Sequence, residues 1–326
     1  MQELSPITKS CRHAIARIAL GFFIFFSASI LGQLGLIRLV RSYLPQYEET
    51  ALFSWMASLL PMYLLGAPLL WIAVRNLPTT ATPRRRIRLR DLLILFTISF
   101  ALMYLANFIG VGVNLLTEAF FGTSSQAGAT ELITSSSLFI TIPIAVILGP
   151  VVEEIIFRGI LLPRLMPFGE RFAVVTSALL FGLFHCNLVQ LPYAFAVGLV
   201  FGLVAARTGR LIYSIILHIL LNFSGTVPAT LMMPILERFE SLEPGAETTA
   251  ELMPLLGALL LLLLYLGAVM LLVGLGVFFL ILHRKSLIPK PGAIPIPKGA
   301  WRYIATSPAV LLYALALVVM FMLSYL

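Results

Sequence analysis

Six polar residues that could take part in chemistry lie inside segments that otherwise look like membrane-spanning helix. They fall in three short patterns: Glu153, Glu154 and Arg158 in EExxxR, His185 at the end of FxxxH, and His218 with Asn222 in HxxxN. Ionisable groups at membrane depth are costly, and they usually face the interior of a helix bundle or a wet cavity. We therefore treat all six as candidate site residues.

Helix geometry separates the two adjacent glutamates. At about 100° per residue, Glu154 and Arg158 fall within about 40° of each other, so an ion pair on one helix face is expected. Glu153 points about 100° away from Glu154 and has no cation on its own helix. The pair has a structural interpretation, in which Arg158 neutralises Glu154 and the two side chains hold the helix bundle together. Glu153, in contrast, is predicted to be functional.

The elements that must position these residues are membrane helices. The chain has 326 residues, of which 60% are hydrophobic and only 11% charged, and its mean hydropathy is +1.01. Apolar stretches of spanning length recur at roughly 18–37, 51–74, 91–117, 136–161, 172–188, 191–206, 211–226, 252–282 and 304–325. The sequence therefore predicts an all-α, polytopic integral membrane protein with about eight to nine transmembrane helices.

The basic residues are distributed unevenly between the predicted loops. Most of the 22 lysines and arginines follow every second span, so the positive-inside rule predicts a cytoplasmic N-terminus. This pattern explains the net charge of +8 without a nucleic-acid partner. The cluster from Arg84 to Arg90 is interpreted as a topology anchor, with contact to anionic membrane lipids as the alternative. A bacterial cell membrane is the expected location.

The candidate residues agree in depth. Counting about 1.5 Å per residue from the basic boundary, Glu153 lies about 16 Å deep, His185 about 21 Å, His218 about 12 Å and Asn222 about 18 Å. In a hydrocarbon core about 30 Å thick, these depths all lie near the midplane. The sequence therefore predicts one central cavity that the four side chains share, and we expect it to be reachable from the cytoplasmic side.

The residue types suit attack by water on an amide carbonyl. A carboxylate in a desolvated site is a stronger base than one in water, and a histidine opposite it can help hold and deprotonate the water. His218 and Asn222 share a helix face at i, i+4, where both can donate hydrogen bonds to a developing oxyanion. This combination predicts an intramembrane endopeptidase.

The three patterns together resemble the CAAX-protease and bacteriocin-processing family of intramembrane endopeptidases. The resemblance covers about residues 137–226, flanked by helices in 1–136 and 227–326 of a single membrane domain spanning 1–326. It implies a catalytic cavity open to the cytosol and a hydrophobic or lipid-modified peptide or protein substrate, with peptide maturation, bacteriocin self-immunity or signalling as the role. It assigns Glu153 and His185 to water activation, His218 and Asn222 to the oxyanion, and Glu154 and Arg158 to organising the site.

Several alternatives stay open at this point. Glu153, His185 and His218 would form a His₂Glu set that Zn²⁺ accepts, but the HExxH pattern of many metalloproteases is absent, and we favour a metal-independent glutamate mechanism. A proton-coupled transporter could use the same buried groups as a relay. A non-catalytic immunity or scaffold protein could keep the fold. A two-aspartate protease is excluded, because Asp91 is the only aspartate.

Overall fold

The computed structural model describes residues 5–82, 84–122, 132–133, 136–240, 249–292 and 300–323. Within these ranges the regular elements are all helices, so the predicted all-α class is confirmed. Ten helices are α1 Pro6–Tyr43, α2 Ala51–Val74, α3 Leu89–Phe121, α4 Leu138–Phe168, α5 Glu170–Phe184, α6 Gln190–Thr208, α7 Leu211–Glu240, α8 Thr249–His283, α9 Ala300–Ala305 and α10 Pro308–Leu323. Helix α4 contains two π-helical segments, Ile142–Leu148 and Ile155–Leu161.

Seven of the helices in the described ranges are long and apolar enough to cross a membrane: α1, α2, α3, α4, α6, α7 and α8. The chain is therefore an integral membrane protein that crosses the bilayer several times. Two of the nine predicted spans are not among these seven long helices. The span at 172–188 corresponds to α5, whose 15 residues reach only about 22 Å, less than a bilayer core of about 30 Å. The span at 304–325 is interrupted before Pro308, because proline disfavours helical backbone in the residue before it.

Helices α5 and α6 form an antiparallel hairpin whose tip lies inside the bundle. The two helices approach closely at small residues: a Cβ at Gly198 would lie 3.2 Å from the Cα of Ala178, and one at Gly182 would lie 3.1 Å from the carbonyl oxygen of Leu191. Both free ends of the hairpin lie together, where Arg207 pairs with Glu170 at 2.8 Å. The hairpin therefore carries His185, at its turn, into the middle of the protein.

The basic loops gather at one end of the bundle, which we call the basic face (residues 75–90, 163–171, 207–211 and 284–292). Backbone hydrogen bonds join these segments: Thr80 N–H donates to Pro163 at 3.0 Å, Arg85 N–H to Thr208 at 2.8 Å, and Arg171 N–H to Lys290 at 2.9 Å. The alternation of basic loops predicted from the sequence is thus reflected in three dimensions. The assignment of this face to the cytoplasm stays a prediction.

An aromatic cluster supports the helices that carry the candidate residues. The ring of Phe157 on α4 lies 5.2 Å from the rings of Phe181 and Phe184 on α5, and 5.9 Å from that of Phe22 on α1. These side chains are almost completely buried. Because buried aromatic pairs contribute both area and preferred ring geometry, the cluster fixes α4 against the α5–α6 hairpin and hence one site helix against another.

Candidate active site

Glu154 and Arg158 form the predicted ion pair on α4, with both side chains fully buried. Arg158 Nη1 donates to Glu154 Oε1 at 2.9 Å, and the two side chains are 0% exposed. Arg158 Nη2 donates to the carbonyl of Gly198 on α6 at 3.1 Å, and the guanidinium lies 4.5 Å from the centre of the Phe181 ring. The pair therefore connects α4 with both arms of the hairpin.

Glu154 also holds a histidine from another helix. His218 Nδ1 on α7 lies 3.1 Å from Glu154 Oε1, while His218 Nε2 lies 3.7 Å from Glu153 Oε2. A carboxylate accepts hydrogen bonds, so Nδ1 carries the proton and the Nε2 edge of the ring faces Glu153. The sequence analysis missed the contact between Glu154 and His218. The two residues are 64 positions apart, and no local pattern connects them.

His185 is presented by the turn between α5 and α6. Its Nδ1 lies 2.9 Å from the carbonyl oxygen of Phe181, which can only accept, so Nδ1 is protonated and Nε2 is left as the acceptor of the neutral ring. Asn187 Oδ1 accepts hydrogen bonds from the N–H groups of Val189 at 2.9 Å and Gln190 at 3.1 Å. This cap satisfies backbone groups that water would otherwise have to reach.

Glu153, His185, His218 and Asn222 line one cavity of about 260 Å³. The structure thus brings together the four side chains that the depth argument placed at one level, from three separate helical segments. Asn222 Nδ2 donates to the carbonyl of Ala145 at 3.1 Å, and the second N–H of that amide is not used by this bond. The catalytic roles of these residues stay predictions.

Further polar residues line the same cavity and were missed, among them Tyr63, Gln190 and Tyr193. Gln190 could have been found, because an amide side chain within an apolar hairpin is the same signal that identified Asn222. The tyrosines gave no comparable signal, since phenol rings are common on membrane helices.

The cavity extends away from the basic face. Its lining includes Trp55, near the start of α2, and Thr226, about 22 Å along α7 from its basic end. A neighbouring cavity of about 340 Å³ shares Tyr193, Asn222 and Thr226 with it and continues past Gly225. Together they form a groove between α3 and α7, which we call the α3–α7 groove (Tyr104, Asn107, Asn222, Gly225 and Ala229).

This direction differs from the expected opening to the cytoplasm. On the basic side, the buried pair of Glu154 and Arg158 and the packed ring of Phe157 lie beneath the cavity. If the basic face is cytoplasmic, as the positive-inside rule predicts, the groove leads toward the opposite half of the membrane. The structure therefore does not support both expectations made from the sequence at once: a basic face in the cytoplasm, and a cavity that opens to the cytoplasm.

The donor set was also compared with the requirements of a metal ion. Among the described residues, no three His, Cys, Asp or Glu side chains form a group that could hold one. Glu153, His185 and His218 share a cavity wall, but in this arrangement they do not make the three-ligand set that zinc takes in catalytic sites. The reaction proposed for this cavity therefore uses only the protein's own side chains and water.

Comparison with known proteins agrees with the resemblance derived from the motifs. Residues 135–224 match the family described as type II CAAX prenyl endopeptidase Rce1-like. This matched segment covers less than a third of the chain. It contains all six candidate residues, together with the hairpin turn and the first part of α7.

Two curated relatives match parts of the chain. The "Putative membrane peptidase YdiL" of Bacillus subtilis is 32% identical over 105 residues, which cover 31% of this chain and 43% of that protein. The "Membrane-embedded CAAX protease MroQ" of Staphylococcus aureus is 29% identical over 140 residues, covering 38% of this chain and 53% of that protein. The chain thus spans about half the length of the relatives it matches. No solved structure matches significantly.

Proposed function

We propose that the protein is an intramembrane endopeptidase that hydrolyses a hydrophobic or lipid-modified peptide with a water activated by Glu153. The observation that carries the proposal is the pair of groups facing each other in the cavity, Glu153 Oε2 and His218 Nε2, 3.7 Å apart. Such a separation is long for a direct hydrogen bond and suits a bridging water. The names of the family and of both relatives describe peptidases, which supports the same class.

In this mechanism, Glu153 accepts a proton from water as the water oxygen attacks the scissile carbonyl carbon. His185 Nε2 accepts a hydrogen bond from the second O–H and so aligns the attacking lone pair. When the C–N bond breaks, the protonated Glu153 gives its proton to the leaving nitrogen. The products are a new carboxyl terminus and a new amine, and Glu153 returns to its starting state.

The oxyanion formed during attack is stabilised by donors from α7. Asn222 offers the N–H that is not bonded to Ala145. His218 donates from Nε2 only when its ring is doubly protonated, because Nδ1–H already points to Glu154. Glu153 and Glu154 flank that ring. Donors placed in advance where charge develops are among the strongest contributions to catalysis.

The activity is tested by reconstituting the protein in liposomes with hydrophobic peptides and identifying the products by mass spectrometry in H₂¹⁸O. We expect internal cleavage and one ¹⁸O atom in the new carboxyl terminus. Release of terminal amino acids alone would contradict an endopeptidase. Proton-coupled uptake of an intact peptide would support the transporter alternative instead. A preparation that neither cleaves nor transports any peptide of a large library would favour the scaffold alternative.

The α3–α7 groove is expected to admit the substrate. Gly225 lines it and is exposed, and a Cβ built at Gly225 meets no atom within 4 Å. Phenylalanine at this position would fill the groove without straining the fold, so Gly225→Phe should raise the KM for long hydrophobic peptides by about tenfold, which corresponds to about 1.4 kcal/mol of lost binding. The assay compares initial rates on long and short peptides.

Gly267→Phe is the matched control, because Gly267 lies on α8 and its Cβ position is equally open. Equal KM values for the two variants would show that substrate does not pass through the α3–α7 groove.

The position of the tip of the α5–α6 hairpin is expected to depend on Gly110, a glycine of α3. A Cβ at Gly110 would lie 2.3 Å from the carbonyl oxygen of Val189, which is closer than any real contact, so Gly110→Leu must displace the tip that carries His185. Because a shift of about 1 Å in a catalytic group can reduce the rate about 100-fold, we expect a loss of this order in kcat. The neighbouring Gly112, with no atom within 4 Å of its Cβ position, provides the control Gly112→Leu. Equal kcat values in the two variants would contradict this positioning role.

A further inference from the structure

A second cavity, of about 450 Å³, lies at the basic face on the other side of the Glu154–Arg158 pair. It is formed by residues 79–82 and Arg84 of the first basic loop, by residues 158–166 of α4 and by the junction of α6 with α7. Backbone hydrogen bonds hold these walls together, from Thr80 N–H to the carbonyl of Pro163 and from Arg85 N–H to that of Thr208. The cavity is distinct from the one that contains Glu153, and the proposed peptidase mechanism does not use it.

The lining of this cavity is strongly basic. It includes the four arginines Arg84, Arg158, Arg164 and Arg210, and none of the described residues that line it is acidic. Glu154 neutralises Arg158. Arg164 donates from Nε to Val74 at 2.8 Å and from Nη1 to Ile160 at 2.6 Å, but both acceptors are uncharged carbonyls. The cavity therefore keeps a positive charge that no described lining residue balances.

Two of these arginines also have buried nitrogen atoms that lack partners. Among the described residues, Arg210 Nε and Arg158 Nε are shielded from solvent and make no hydrogen bond. Arg158 is 2% exposed, so water does not compensate its Nε from the surface. Leaving a buried donor of a charged group unpaired costs free energy. An acceptor with negative charge inside the cavity would remove that cost at Arg210 and balance the remaining guanidinium groups.

The other lining groups favour an oxyanion with several acceptor atoms. Thr79, Thr80 and Thr82 contribute hydroxyl groups that can donate. Helix α7 begins at Leu211, which also lines the cavity, so the unsatisfied amides and the positive dipole end of a long helix lie beside it. Phosphate oxygens commonly accept hydrogen bonds from guanidinium groups, hydroxyls and helix N-termini.

We propose that this cavity binds a phosphate group, supplied either by the headgroup of an anionic phospholipid or by a soluble phosphate. The walls are loop and helix ends of the basic face, at the level where headgroups lie beside a membrane protein. A bound phosphate would connect residues 79–82 and Arg84 to α4 and α7. It would thereby stabilise the folded state, because a ligand that binds only the native form raises its stability.

The test measures thermal unfolding of the full chain in neutral detergent with three additions: inorganic phosphate, phosphatidylglycerol, or phosphatidylcholine as the zwitterionic control. At one hundred times the dissociation constant, a phosphate ligand should raise Tm by about 4 °C. A rise in Tm with inorganic phosphate would show that a soluble anion is sufficient to occupy the cavity. A rise with phosphatidylglycerol alone identifies the lipid. Equal responses to phosphatidylglycerol and phosphatidylcholine, with none to phosphate, would overturn the proposal.

Matched variants locate the effect. Arg84→Gln and Arg210→Gln remove cavity arginines, whereas Arg86→Gln removes the same charge from an exposed position in the same segment that does not line the cavity. We expect the first two to lose most of the Tm rise and the third to keep it. Equal losses in all three would show a general charge effect and no site. Native mass spectrometry of the wild-type protein counts retained phosphatidylglycerol directly, and failure of phosphate or phosphatidylglycerol to bind at all would also overturn the proposal.

Discussion

Replacing Glu153 with glutamine is expected to reduce proteolysis by at least about 10²–10⁴-fold while the protein stays folded. Glutamine keeps the size and hydrogen bonding of glutamate but cannot take a proton from water, and loss of a general base typically costs this much. Folding should persist because Glu153 is only partly buried and glutamine can keep a contact with His218, whereas its neighbour Glu154 is fully buried against Arg158. The measurement is kcat on a cleaved peptide together with Tm.

Glu48→Gln is the matched control, because Glu48, in the connection between α1 and α2, pairs with the exposed Arg41 and does not line the cavity. It should keep full activity. Activity of Glu153→Gln near that of the wild type would show that another group activates the water.

The same assay decides the metal question. We expect activity to survive exhaustive chelation, since the described side chains do not assemble three metal ligands. Stoichiometric zinc whose removal abolishes cleavage, and whose return restores it, would make Glu153 a ligand or the base for a metal-bound water. The glutamate mechanism proposed above would then be wrong.

The sequence predicted the cavity because the membrane makes polar residues informative. In an apolar chain, a buried glutamate or histidine has few explanations, and about 1.5 Å per residue converts position along a helix into depth. That arithmetic placed Glu153, His185, His218 and Asn222 at one level, and the four side chains do line one cavity. Depth is thus a coordinate that a membrane sequence gives directly.

The rotation of each helix about its axis and its contacts with other helices cannot be read from the sequence in this way. The missed contact and the unexpectedly short helix described next both follow from this. The contact of Glu154 with His218 depends on how α4 and α7 face each other, which packing decides. The span at 172–188 was expected to cross the membrane, because apolar composition alone does not reveal that α5 turns back at His185.

Replacing Arg158 with leucine is expected to destabilise the protein by about 3–5 kcal/mol, because the fully buried Glu154 would lose its arginine partner and keep only the hydrogen bond from His218. Removing both charges should recover much of this loss, since a buried ion pair often contributes little more than apolar residues of similar volume. We therefore expect Glu154→Gln combined with Arg158→Met to unfold at a higher temperature than Arg158→Leu. Thermal unfolding in a single detergent compares these two variants with the wild type.

Activity should not recover with stability in that double variant. The glutamine introduced at position 154 can still accept the hydrogen bond of His218 Nδ1, but an amide carries no charge to match a doubly protonated ring, so oxyanion stabilisation by His218 is weakened. Loss of one such donor typically costs about 10²–10³-fold in kcat, with KM little changed and the pH profile of kcat altered. If the double variant instead regained wild-type kcat along with its Tm, the pair would be a structural lock alone, and the chain Arg158–Glu154–His218 would have no part in positioning the catalytic groups.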